Sequence, residues 1–150
     1  MKDTIAIGTI AGLIGGTIGL VFSYSMFLAG ISPMASLHLA ASLVVMDILN
    51  LTIGGIVWSV VTHLSVSAAF SIILAHILLR TGKDYWVLKG VGFGAIFCLI
   101  AHSYFIPLMR TDIRELIFNA PSFGTMITTH ALIGLIASYI ITRYFFTNYN

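Results

Sequence analysis

Hydrophobic residues along this chain neither alternate nor recur as a narrow stripe; they run on until a charge, a proline or a glycine pair interrupts them. The first run extends from about Thr4 to Ala29 and closes at Gly30-Ile31-Ser32-Pro33, where proline fixes its own φ and biases Ser32 away from helix. A helix of about 20 apolar residues crosses the hydrocarbon core of a bilayer, about 30 Å thick. Lys2 ahead of an apolar run resembles the start of a signal peptide, but the run outlasts a signal h-region and no A-x-A-like cleavage site follows it. It reads as an anchor.

The second run, Met34 to Leu79, contains no proline and one fixed charge, Asp47. It is too long for one crossing and too short for two crossings with a loop. Two readings are open. In one, Met34 to Leu49 is a short helix in or dipping into the interface, followed by a span over about 51–79. In the other, the chain turns at Gly54-Gly55 and crosses twice. Basic residues arbitrate. Four spans place Lys2, Arg80, Lys83, Lys89 and Arg143 on one side against Arg110 and Arg114 on the other, whereas five spans split them almost evenly. The positive-inside rule favours four spans with both termini cytoplasmic.

A third span is predicted over about 88–108, ended by Pro107 and Arg110, and a fourth over about 123–146, preceded by Ala120-Pro121. Between them, Thr111-Asp112-Ile113-Arg114-Glu115 has the spacing of a capped helix start, with Ile113, Leu116, Ile117 and Phe118 set to rest on the outer membrane surface. The expected fold is all-α: a single-domain polytopic membrane helical bundle of four transmembrane helices plus a short interfacial helix after the first span.

Composition agrees with this layout. Of 150 residues, 59% are hydrophobic and 8% charged, against about 25% charged in a soluble domain. A net charge of +2, scattered along the chain, gives no nucleic-acid footprint. The single cysteine, Cys98, excludes a disulfide framework. Most of the tyrosines and tryptophans fall near the proposed boundaries, as an interfacial aromatic belt would.

Within the spans, small residues recur every fourth position. Gly8, Gly12 and Gly16 mark the first span, with Gly15 and Gly19 on the adjoining row; Gly90, Gly94, Cys98 and His102 mark the third. The second carries Gly55, Ser59, His63, Ser67 and Ser71, and the fourth His130, Gly134, Ser138 and Thr142. In lipid no hydrophobic force drives helices together, so small residues that permit close backbone approach mark packing faces. Three of these faces hold a histidine. By helical rise, His63, His102 and His130 fall at similar depth in the outer half, below a lid carrying His38, Asp47, Arg110, Asp112 and Glu115, whereas His76 lies near the cytoplasmic end.

Ionisable groups inside a membrane are costly unless paired and point by default to an ion path, a proton relay or a ligand site. Neutral imidazole is a common ligand for zinc, copper and haem iron. A haem or transition-metal site, or a proton path, would draw on His63, His102 and His130, with Asp47 as a fourth member. Against this stands the structural reading, in which each imidazole only hydrogen-bonds a neighbouring Ser, Thr or carbonyl and no cofactor is bound. No pair has the spacing of a helical zinc motif, and no G-x-S-x-G elbow supports hydrolysis. Asp47 reads more simply as a solvated connector residue than as a partner of Arg110.

Three features together, the Ile31-Ser32-Pro33 turn, a second span ending Leu78-Leu79-Arg80 and a third closing on Ile106-Pro107, resemble the YqhR-like conserved membrane proteins of Gram-positive bacteria, which are small and multi-span. The resemblance covers about the middle half of the chain, assigns no site residue and implies no activity. The expected role is a non-enzymatic component of the bacterial cell membrane. It would meet the lipid bilayer all round, and a second copy or a membrane-protein partner through the Gly8-Gly12-Gly16 face.

Overall fold

The computed structural model describes residues 3–43, 52–105 and 119–146. In chain order the elements are α1 (Thr4–Leu28), the short α2 (Ser36–Ala41), α3 (Ile53–Thr81), α4 (Trp86–Ile100, prolonged by a π-helical turn over Ala101–Phe105) and α5 (Ala120–Phe146). The four long helices are each long and apolar enough to cross a membrane, and no strand occurs among the described residues. The chain is a multi-pass membrane helical bundle. The Gly54-Gly55 pair lies inside the first turn of α3 and does not reverse the chain, so the four-span reading holds. Asp47, Pro107, Arg110 and the capped segment Thr111–Glu115 lie outside the described residues.

Local chemistry sets the helix ends. The Asp3 carboxylate accepts from the N–H groups of Ile5 and Ala6 at 2.9 and 3.0 Å, satisfying donors that a helix start leaves open. Thr52 does the same for Gly55 at 3.1 Å. Gly30 and Gly82 take positive φ, 70° and 78°, just beyond the C-termini of α1 and α3, where a side chain would be strained. Lys89 reaches across the α3–α4 turn and donates to the carbonyls of Thr81 and Gly82 at 3.0 and 2.9 Å, a cation at the negative end of α3. The fourth span starts earlier than its sequence suggested. Asn119 accepts from Ser122 N–H at 2.8 Å, and Pro121 sits in the first turn, where its missing N–H costs nothing.

The residue pairs run in opposite directions between α1 and α3 (Gly8 at Ile72, Gly16 at Leu64) and between α4 and α5 (Gly90 at Ser138, Gly94 at His130), so these helices are antiparallel, and α1 packs along both α3 and α5. The glycine rows make these contacts. A Cβ added at Gly8 would fall 2.7 Å from Ile72 Cα, one at Gly16 would fall 2.7 Å from the Ser67 side chain, and one at Gly12 would collide with the Ser67 carbonyl. On the adjoining row, Gly15 and Gly19 pack on Ile133 of α5. Between α4 and α5, Gly90 meets Ser138 and the Gly134 carbonyl, and Gly94 meets the His130 carbonyl. The face Gly8-Gly12-Gly16, expected to receive a partner, is thus filled by α3 of the same chain.

The two halves of the bundle differ. Toward the end that carries both termini, Ile7, Ala11, Leu74, Ala75, Leu78, Ala137, Ile141 and Phe145 form a continuous apolar core. Toward the other end α2 folds back against α1 and α3, burying Ser36, Leu37, Ala40 and Ala41. It is held by the Ser36 N–H donating to the buried Ser23 hydroxyl at 2.6 Å. Outward, α1 shows Ile10, Leu13, Ile14, Ile18 and Val21, a continuous aliphatic surface of the kind that acyl chains cover.

Backbone proximity makes the glycine positions unequal. Gly94→Leu is expected to destabilise the bundle by at least about 2 kcal/mol through overpacking, whereas Gly92→Leu, with nothing within 4 Å of the added carbon, leaves stability nearly unchanged. Reversible unfolding in mixed micelles measures both, and equal losses would contradict the packing described.

Candidate functional site

Polar groups inside the bundle first look inward to their own helices. The hydroxyls of Ser59, Ser67 and Thr129 donate to the carbonyls of Gly55, His63 and Thr125, four residues back, at 2.7–2.9 Å. His130 Nδ1 lies 2.8 Å from the Met126 carbonyl and His102 Nδ1 lies 3.0 Å from that of Cys98. His63 departs from this pattern. Its Nε2 lies 3.1 Å from the carbonyl of Gly16, on a different helix. Gly16 is also where α1 comes close to Ser67 and Leu64 of α3, so this bond lies at a tight helix contact.

The tautomers follow from the partners, because a carbonyl oxygen only accepts. His63 therefore carries its hydrogen on Nε2, and His102 and His130 carry theirs on Nδ1. In its neutral form each ring keeps a lone pair on the second nitrogen. A ring whose N–H is anchored on a backbone carbonyl is oriented as metal-binding and proton-accepting histidines are. His102 Nε2 is buried with no hydrogen-bond partner among the described residues. Its ring stands edge-on to Phe123, with centroids 5.3 Å apart.

Of the three histidines expected to converge, His63 and His130 share the same cavity walls. Both line a cavity of about 260 Å³, together with Ser36, Ala40, Thr62, Val66, Phe97 and Ala101. Beneath it a smaller space of about 30 Å³ lies between the same two histidines, Ser67 and Phe70. His102 lines neither space, since its ring is turned toward Phe123, about two helical turns along α5 from His130. Asp47, proposed as a fourth member, lies outside the described residues. Among the described residues, no group of three or more His, Cys, Asp or Glu side chains is placed to hold a metal ion. His76 stays apart, its Nδ1 2.8 Å from the Ile72 carbonyl on an exposed face.

Why a cavity forms here is legible in the packing. The helices α3 and α4 meet chiefly through Phe70, whose ring lies 4.7 Å from Phe93 and 5.1 Å from Phe97. Beyond this aromatic floor α4 presents Ala101, too small to reach α3. Leu39, Ala40 and Leu43 of α2 and the turn after it close the far side. The sequence reading missed Ser36, Thr62, Phe97 and Ala101. The change from Phe93 and Phe97 to Ala101 along one helical row was the available signal.

His38 belongs to the α2 closure and not to the cavity lining. Its Nδ1 accepts from Ala35 N–H at 3.1 Å and its ring lies 4.8 Å from that of Phe27. Burial pushes its pKa below the ordinary histidine value, and the donated N–H also suits the uncharged ring. Comparison with family models, with curated proteins and with solved structures finds no match for this chain, so the geometry alone carries the functional reading.

Two outcomes follow. Replacing His63 by Ala removes the α1–α3 bond and is expected to cost about 1 kcal/mol, in the range of interhelical hydrogen bonds in membranes, while His76→Ala costs less; unfolding midpoints compare them. For His38, the unfolded chain binds a proton more readily than the folded one, so stability is complete above about pH 6.5 and falls as pH drops below it. Protection factors at the Ala35 and Ser36 amides, which correct for the intrinsic slowing of base-catalysed exchange, should therefore fall between pH 7 and pH 5, and His38→Asn should abolish that dependence.

Proposed function

We propose that this protein is a small, non-enzymatic component of the cell membrane, with both termini in the cytoplasm, whose inward polar groups serve to pack and orient its helices. The observation that carries this reading is the bond from His63 to the Gly16 carbonyl. The imidazole with the greatest claim to chemistry acts there as a tie between two helices. The orientation rests on Lys2, Arg80, Lys83, Lys89 and Arg143 falling on one side. A role as partner subunit or homo-oligomer would use the outward aliphatic surface, since α3 covers the Gly8-Gly12-Gly16 face. We extend the same proposal to kinship with the YqhR-like membrane proteins, on the turn and span endings that the sequences share.

A second reading, a metal-, haem- or proton-handling protein, is favoured by one observation. His63 and His130 line a common cavity, and each has a ring nitrogen left over after its N–H is anchored.

Spectroscopy separates the two readings. The purified protein is expected to lack a Soret band and to carry metal well below one ion per chain. A Soret band or stoichiometric metal that disappears in His130→Ala would establish the second reading. Labelling of single cysteines introduced at Lys83 and Arg143, in a chain with Cys98→Ser, should place both on the cytoplasmic side; opposite sides would overturn the orientation.

A further inference from the structure

The cavity between α3, α4 and α5 has a composition of its own. At about 260 Å³ and partly open, it offers more room than the roughly 150 Å³ enclosed cavity that accommodates one benzene ring in a soluble protein. Its walls are mostly hydrocarbon, from Leu39, Ala40, Val66, Phe97 and Ala101. Against them stand a few polar groups of definite character. Ser36 lines the cavity, is 3% exposed, and its hydroxyl is buried with no hydrogen-bond partner among the described residues. His63 and His130 line it too, and the bonds to Gly16 and Met126 leave each neutral ring with an accepting nitrogen.

An apolar space with a few convergent polar groups is the usual make-up of a small-molecule site. The polar groups also define the ligand. An imidazole lone pair calls for a donor, and a hydroxyl is the smallest neutral donor that an aromatic ring carries. Phe97, flanked by the His130 ring at 6.0 Å between centroids, gives a flat aromatic wall. We propose that this cavity binds one neutral, mostly apolar molecule bearing a phenol-type hydroxyl, its ring against Phe97 and its O–H directed to the His63–His130 pair. The site does not depend on whether the bundle also serves a larger assembly, so its failure would leave the packing role untouched.

The test compares para-propylphenol with para-propyltoluene, which has a methyl group in place of the hydroxyl. Binding to the full chain in phosphatidylcholine nanodiscs is measured by equilibrium dialysis, corrected for uptake by protein-free discs. The phenol should bind saturably at one per chain and about tenfold more tightly than the toluene, the factor given by about 1.4 kcal/mol of net hydrogen bonding. His130→Leu and His63→Leu should each lower that preference toward one, and Ala101→Phe should exclude both compounds by filling the space. A diazirine derivative of the phenol, photolysed on the native chain, should label α2, Thr62–Val66 or Phe97–Ala101, which decides the matter even where a variant fails to fold. Equal affinity for phenol and toluene, a preference that survives both histidine replacements, or labelling confined to other segments would each overturn the site.

Discussion

Contact between backbones holds this molecule together. In lipid the usual force that gathers apolar side chains is absent, so two helices stay together only where their main chains come close enough for many weak contacts. Gly12 at the Ser67 carbonyl, Gly90 at the Gly134 carbonyl and Gly94 at the His130 carbonyl are such places. Each carbonyl there is also part of its own helix ladder, so a side chain inserted at the glycine displaces main chain and not a pliable neighbour. The bundle is consequently stiff where glycine is and looser where it is not.

That distribution explains the division of the interior. At the end carrying the termini, α1, α3 and α5 enclose mainly leucine, isoleucine, alanine and Phe145, with Ser71 and Thr142 as buried hydroxyls among them. Away from it, α4 diverges from α3 beyond the Phe70–Phe93–Phe97 cluster, and polar side chains occupy what packing does not fill. Most of those side chains bond to their own backbone four residues earlier. They fill space without demanding a partner, which lets a polar seam exist in a hydrocarbon setting. His63 is different because its bond joins two helices.

Much of the fold could be read from the sequence because lipid imposes blunt requirements. Span length, the Pro33 stop and the asymmetry of basic residues led to four long helices and a short one after the first. The glycines of these rows lie at helix–helix contacts, but spacing alone does not say what a face packs against. Gly8, Gly12 and Gly16 look equally suited to a second copy and to α3, and the choice depends on loop geometry that no periodicity records. The histidines illustrate the same limit. Depth along the axis placed His63 and His130 together, while rotation about the axis turned His102 toward Phe123. The π-helical turn over Ala101–Phe105 contributes here, since one extra residue per turn alters the phase of every side chain it carries. Ser36 was invisible because its relevance arises from α2 folding inward, held by Ser23.

The Lys89 tether has a mechanical meaning. By bonding the last carbonyls of α3 it pins the start of α4 to its neighbour, while the remainder of α4 has little purchase on α3 beyond Phe97. Gly90 and Gly94 of the same helix seat it against the Gly134 and His130 carbonyls of α5. The separation of α4 from α3 near Ala101 is therefore set at two places, by a cation at the loop and by main-chain contact along α5, and does not depend on side chains filling the gap.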